Sequence, residues 1–221
     1  MADIRFTEGP DNYIQPASSK NDWNNYFGLG GDDTIKIISG TAIGGPGNDR
    51  MEKLPIAGEP WWLVGVAYWD SLTGVRVDLQ GGWADDGYGS RDTLIGIDVV
   101  HGNWHDDWFQ GNSGDNFFWG NGGNDTVLGG GGTDTVGIPG LNPAAGSPAT
   151  IQPKVAAGTG FRYTLTDVEQ FQVDMGGNSW ANLTLSDFIT QQSMAEQAIA
   201  AGGGWRWNAA QPLGSATNVT F

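Results

Sequence analysis

The sequence predicts an all-β chain wound as a parallel β-roll, a β-helix-like solenoid of short stacked coils. Three observations carry that reading. Four nonapeptides run in tandem from Gly102 to Gly137, reading GNWHDDWFQ, GNSGDNFFW, GNGGNDTVL and GGGGTDTVG. Each opens on a glycine-rich turn, places Asp or Asn sixth (Asp107, Asn116, Asp125, Asp134) and places an apolar residue eighth (Phe109, Phe118, Val127, Val136). The same phrase recurs upstream, as GLGGDDTIK from Gly28 to Lys36 and GGPGNDRME from Gly44 to Glu52. A fixed short period of this kind is the sequence form of a solenoid.

The spacing also carries chemistry. Glycine permits positive φ and close backbone approach, so a six-residue turn can present several carbonyl oxygens inward. An Asp at the sixth place adds a side-chain oxygen, and such a set suits calcium, which takes about six to eight oxygen ligands. One turn cannot supply them all. If each nonapeptide is half of a flattened coil, like-edge turns lie eighteen residues apart, Asp107 stacks with Asp125, and Asn116 stacks with Asp134. An ion between stacked turns is shared by both and becomes part of the fold.

The elements follow in chain order. Two weaker rungs are expected at TEGPDNYIQ, from Thr7 to Gln15, and at Asn24 to Phe27, each with Asn at the acid place. Gly28 to Glu52 holds two stronger rungs, with Asp33 and Asp49 as ligands and Ile35 and Met51 facing in. These acids are sixteen residues apart, one coil with a shortened opposite turn around Ser39 to Thr41, and are expected to share an ion.

A Pro- and Trp-rich excursion then interrupts the array from Lys53 to Trp83. Leu63, Val64, Val66, Tyr68 and the alternating Val75, Val77 and Leu79 read as strands within it. Asp85 and Asp86 lie in the approach loop, where substitution is expected to matter less. The main array occupies 87–137.

Leu141 to Gly160 reads as a Pro/Gly/Ala/Ser loop. Ser186 as N-cap, Phe188, Gln192, Ala195 and Ile199 along one face, and a stop at Gly202 to Gly204 predict one helix that caps the solenoid. The expected organisation is an interrupted roll over 1–140 (rungs 7–52, insertion 53–86, repeats 87–137) and a capping region of strand and helix over 141–221. Candidate metal residues are Asp33, Asp49, Asp98, Asp107, Asn116, Asp125 and Asp134, with the turn glycines Gly28, Gly44, Gly102, Gly111, Gly120, Gly122, Gly129 and Gly131.

These motifs resemble the RTX, or repeats-in-toxin, family, whose nonapeptide is GGxGxDxUx. The resemblance covers most of 7–52 and 87–137. It extends to GVRVDLQGGWADDGYGSRDTLIGIDVVHG, from Gly74 to Gly102, which is similar to the segment leading into the repeats of surface and adhesin-like members, and to YTLTDVEQFQVDMGG, from Tyr163 to Gly177, which is similar to their closing strands. His105 at a glycine place, Asn116 at an acid place and the load of tryptophan depart from the pattern. The resemblance implies several calcium ions, type I secretion through an uncleaved C-terminal signal, and folding outside the cell. The tail from Gly214 to Phe221 is compatible with such a signal.

Composition narrows the function further. The 221 residues hold 25 acids against 10 bases, a formal charge of −15. Self-repulsion of that size opposes the compact state unless cations neutralise it. No basic stripe exists to meet phosphates, which argues against nucleic acid as a partner. The chain has no Cys, no signal peptide is recognisable at its start, and no apolar run approaches membrane-spanning length.

Catalysis is not expected. The two histidines, His101 and His105, flank one turn, and no Ser sits in a nucleophile motif. His105 reads as a turn residue tolerant of positive φ.

Eleven Trp remain. Trp108, Phe117 and Trp119 occupy outward places and must meet something. They are covered by the Trp61, Trp62, Trp69 excursion or the Trp205, Trp207 tail, by another subunit, or by a sugar. The resulting expectation is a secreted or surface-exposed calcium-binding structural protein. It forms part of an extracellular layer, filament or adhesive assembly through contacts with itself or other surface proteins. A carbohydrate-binding module and an accessory domain of a larger secreted enzyme or toxin are the alternatives.

Overall fold

The architecture comes from a computed structural model that describes residues 2–19, 22–56 and 63–138 and the strands at 150–151, 162–166, 170–176 and 179–184. In chain order the strands are β1 (Asp3–Arg5), β2 (Asn12–Ile14), β3 (Asn25–Phe27), β4 (Thr34–Ile37), β5 (Gly40–Ile43), β6 (Arg50–Lys53), β7 (Val64–Ala67), β8 (Arg76–Asp78), β9 (Trp83–Asp85) and β10 (Arg91–Ile95). They continue as β11 (Val99–His101), β12 (Trp108–Gln110), β13 (Phe117–Trp119), β14 (Asn124–Leu128), β15 (Thr135–Ile138), β16 (Thr150–Ile151), β17 (Arg162–Thr166), β18 (Gln170–Gly176) and β19 (Ser179–Thr184). One turn of 3-10 helix, Ala17–Ser19, interrupts them.

Two sheets result. One runs β1-β3-β5-β7-β11-β13-β15-β18-β19 and the other β16-β17-β14-β12-β8-β9-β10-β6-β4-β2. Through the repeats the chain alternates between sheets, and each strand pairs in parallel with the strand one coil away. Phe109 lies opposite Val127, and Phe118 opposite Val136. This mostly parallel arrangement is consistent with the expected β-roll.

The period-two alternation of the strands explains the core. In each rung the middle residue points in. Ile35, Met51, Phe109, Phe118, Val127 and Val136 are all fully buried, and together with Tyr26, Ala42, Val66, Val77, Leu94 and Val100 they form one apolar cluster between the sheets. The Phe109 and Phe118 rings stack across it at 5.8 Å.

Three expectations change. The strands expected between Lys53 and Trp83 belong to the array: β7 joins the first sheet between β5 and β11, and β8 joins the second beside β12. Between them and β10, β9 breaks the pattern, because it runs antiparallel to both β8 and β10 and inserts an extra strand. Its middle residue, Ala84, lies opposite Val77 on one side and Asp92 on the other, and all three are buried.

The first rung is phased one residue earlier than expected. Tyr13 pairs with Ile35, while Ile14 is 57% exposed, so the nonapeptide starts at Phe6 and its sixth residue is Asp11. The stretch from Leu141 to Gly160 contains β16, which pairs with β17. Beyond the tandem repeats, β17 and β18 continue the two sheets in parallel and β19 closes one of them as an antiparallel strand. The helix expected from Ser186 to Ile199 lies outside the described residues, as do Trp61, Trp62, Trp205 and Trp207.

Candidate metal centre

At the start of each strand the sixth residue of the turn stands directly beside its counterpart one coil away, and the pleat gives these residues a common job. The amide of each is capped by a side-chain oxygen of the next. Asp11 N donates to Asp33 Oδ1 at 2.7 Å, Asp33 N to Asp49 Oδ1 at 2.8 Å, and Asp49 N to Asp92 Oδ1 at 3.0 Å. Farther along the same edge, Val75 N donates to Asp107 Oδ1 at 2.8 Å and Asp107 N to Asp125 Oδ1 at 3.0 Å. On the opposite edge Asn116 N donates to Asp134 Oδ1 at 2.9 Å.

The turns themselves are of two kinds. In 28–33, 44–49, 120–125 and 129–134 the second and fourth residues have positive φ: Leu29 and Gly31, Gly45 and Gly47, Asn121 and Gly123, Gly130 and Gly132. The fourth place needs glycine, since a Cβ on Gly47 would lie 1.9 Å from the Gly31 carbonyl oxygen and one on Gly123 2.3 Å from that of His105. Backbone carbonyls of one turn therefore press against the next.

In 102–107 and 111–116 the second residue is Asn with ordinary φ. Its side chain closes the turn by accepting from the fourth residue, His105 N to Asn103 Oδ1 and Gly114 N to Asn112 Oδ1, both at 2.8 Å. Such Asx turns replace the left-handed residues. His105 thus departs from expectation: it keeps a negative φ, and the Asn103 side chain shapes the turn.

Turn type decides what the acid's second oxygen does. In the Asx turns a side-chain oxygen of the sixth residue folds back onto the turn's own amide: Asn103 N donates to Asp107 Oδ2 at 2.9 Å, and Asn112 N donates to Oδ1, the single side-chain oxygen of Asn116, at 2.8 Å. In the left-handed turns the Oδ2 atoms of Asp33, Asp49 and Asp125 are buried and accept no hydrogen bond among the described residues. Each of these acids is at most 1% exposed. An uncompensated buried carboxylate is costly.

Burial pushes Asp49 up to about 7, with the neighbouring Asp33 charge adding to it, and Asp125 up to about 8, with Asp107 adding to it. Burial likewise lifts Asp107 to about 6 and raises Asp33. The basic side chains nearby are committed elsewhere. Lys36 and Arg50 pair with Glu52, Arg91 pairs with Asp85, and Arg76 lies over the rings of Trp83 and Trp108.

A cation fits these turns. The first glycines form the cradle: a Cβ on Gly28 would meet Asp33 Oδ2, one on Gly44 Asp49 Oδ2, and one on Gly102 Asp107 Oδ2. A Cβ on Gly111 would meet the Gly129 carbonyl oxygen. Gly120 and Gly129 are buried at the same place. Gly122 is closed by the Trp104 ring, whereas Gly131 is exposed with room for a Cβ. Among the described residues no three acidic or histidine side chains converge as a cluster, so an ion here would draw most of its ligands from backbone carbonyls, as hard calcium accepts.

Residues 101–136 match the family model of the RTX calcium-binding nonapeptide repeat in four copies. These four turns are RTX calcium-binding repeats. No curated protein matches the chain. Turns with the same left-handed second and fourth residues recur at 28–33 and 44–49, upstream of the matched residues.

Of the expected ligands, Asp33, Asp49, Asp107, Asn116, Asp125 and Asp134 all stand in the two columns. Asp98 stands beside Asn116 in register but differs: its Oδ2 is taken by the Lys53 ammonium at 2.7 Å and by Val64 N at 3.0 Å. A lysine supplies the positive charge there, so Asp98, expected as a metal ligand, is instead an ion-pair partner of Lys53.

Three acids were missed. Asp11 was hidden by the one-residue error of phase. Asp92 is the sixth residue of GYGSRDTLI, from Gly87 to Ile95, an RTX-like phrase with Leu94 eighth. Asp86, expected to matter little, is fully buried; its Oδ1 accepts from the amides of Tyr88, Gly89 and Ser90 at 2.9 to 3.0 Å.

Proposed function

We propose that this chain is a calcium-stabilised β-roll that works outside the cell as a structural subunit of a layer, filament or adhesive assembly, without a catalytic role. The observation that carries the metal part is the set of bare, buried Oδ2 atoms of Asp33, Asp49 and Asp125 in turns whose carbonyls are stacked. Ions are proposed between turns 28–33 and 44–49, 102–107 and 120–125, and 111–116 and 129–134. RTX repeats are typical of secreted proteins, and among the described residues no helix is long and apolar enough to cross a membrane.

Assembly is supported by aromatic rows on the outer faces of both sheets. On one, Trp69 meets His101 edge-on at 5.6 Å, His101 stacks on Trp119, and Phe117 lies 5.5 Å from Trp119. On the other, Arg76 lies 4.4 Å from the Trp108 ring, and Arg91 lies 4.1 Å from the Trp83 ring. The rows are half-buried within the chain, and a second copy or another surface protein would cover the rest. The 76% exposed Trp104 favours a second reading, stacking on a polysaccharide.

Circular dichroism of the full chain during calcium titration tests the proposal. The metal-free fold should be marginal, and ordered β structure should grow with calcium and poorly with magnesium, which demands a tighter octahedral shell. A β spectrum unchanged in excess chelator would falsify it.

A further inference from the structure

The nonapeptide pattern has no place for Asp86, yet this residue is among the most enclosed acids of the chain. It directly follows β9, the antiparallel strand inserted among parallel rungs, and its amide donates to the Ser90 carbonyl at 3.2 Å. Its side chain is 0% exposed. Oδ1 is saturated by three amides of the following loop, and Ser71 Oγ donates to its carbonyl at 2.6 Å. Oδ2 is buried and accepts nothing among the described residues.

Its surroundings are acidic. Asp92, 1% exposed, gives Oδ1 to the Asp49 amide and Oδ2 to the Tyr68 hydroxyl, 3.1 Å away. Ionisation of Tyr68 is opposed first by burial and then by Asp92, Asp86 and Asp49, which puts all three carboxylates within electrostatic reach of one phenol. The lysine and arginines of the adjoining strands are occupied: Lys53 by Asp98, Arg50 by Glu52 and Arg91 by Asp85. Enclosed carboxylates with no counter-charge call for a cation or for protons.

We propose that Asp86, through its Oδ2, is a ligand for a divalent cation of calcium's size held beside Asp92 where β9 interrupts the column, with backbone carbonyls completing the shell. This rests on the calcium-binding reading above and adds to it a site whose key acid lies outside every nonapeptide. The consequence is structural. Asp86 anchors the β8–β9 excursion and Asp92 belongs to the column of Asp49, so one ion ties the inserted strand to the N-terminal rungs.

Asp86→Asn keeps an Oδ1 acceptor for the three amides and removes only the charge. Calorimetric calcium titration of the full chain should show one ion fewer in this variant than in wild type, while Asp125→Asn loses an ion from the tandem repeats instead. In chelator, thermal melting of Asp86→Asn should match or exceed that of wild type. Unchanged stoichiometry and affinity in Asp86→Asn would overturn the proposal alone. So would an equal loss of stability with and without calcium, since that marks a purely structural role. A wild-type chain that takes up no calcium would overturn the calcium reading itself.

Discussion

The amide of Asp33 donates to Oδ1 of Asp49 at 2.8 Å, which leaves Oδ2 of Asp49 buried with no donor. One oxygen holds the coil together and the other faces the turn. The two tasks are separable by mutation. At the matching position in the tandem repeats, Asp125→Asn retains an acceptor for Asp107 N and removes the charge, so calcium affinity should fall while chelator stability does not. Asp107→Ala behaves differently. Both of its oxygens accept buried amides, from Val75 and Asn103, so its loss should cost about 1–3 kcal/mol per stranded donor with or without calcium. Paired calorimetry and denaturant melts separate the cases, and identical profiles for the two variants would contradict the division of labour.

The pH dependence should change sign on adding metal. Asp49, Asp92, Asp107 and Asp125 are raised by burial from 3.8 to about 7, 8, 6 and 8 in the metal-free fold. A raised folded pKa favours the fold below the unfolded value, and that contribution is lost as pH climbs through the folded one. His101 opposes this: burial lowers it to about 4, so its contribution is present above 6.5 and lost as pH falls towards 4. Four acids outweigh one imidazole. Calcium-free protein should therefore melt at progressively lower temperature from pH 5 to 8, whereas calcium affinity rises over the same range because the ion displaces protons. Parallel melting curves with and without calcium would refute this.

The repeat period made the inward residues and most of the column readable, because a strict nine-residue spacing fixes both the pleat and the stacking partner. Ile35, Met51, Phe109, Phe118, Val127 and Val136 fall where that spacing puts them. What escaped was whatever breaks the period. Asp11 was misphased because Phe6 stands where glycine usually opens the turn. Asp92 was masked because its turn follows an antiparallel strand, and strand direction leaves no mark on composition. Asp98 has the right register, but its neutralisation by Lys53 depends on a contact 45 residues away in sequence. The split between Asx and left-handed turns depends on φ at the second place, which Asn103 and Asn121 adopt differently despite being the same residue.

Two glycine substitutions test that split. Gly123 has φ of +103°, and a Cβ there would lie 2.3 Å from the His105 carbonyl oxygen, so Gly123→Ala must disturb the stacked carbonyls. It should weaken calcium binding in the tandem repeats and lower the melting temperature. Gly131→Ala gains only ordinary contacts, the nearest at 3.6 Å, and should stay within about 0.5 kcal/mol of wild type. Equal effects from the two would mean that carbonyl stacking does not shape the site.

Trp119→Ser distinguishes what the outer aromatic row is for. The Trp119 indole lies over Gly137 of the next strand, where a Cβ would come within 2.5 Å of the ring, and it stacks on His101 at 6.4 Å with planes 8° apart. None of these contacts belongs to the inter-sheet cluster, whose nearest members are Phe118 and Val136 on the opposite face of the same strands. Removing the ring should leave calcium-dependent folding intact while weakening self-association in sedimentation, because interface anchors of this type typically contribute about 2 kcal/mol or more. Failure of the variant to fold would assign Trp69, His101 and Trp119 to a second core of the chain itself. Normal folding and assembly combined with lost retention on a polysaccharide column would move the function to sugar binding.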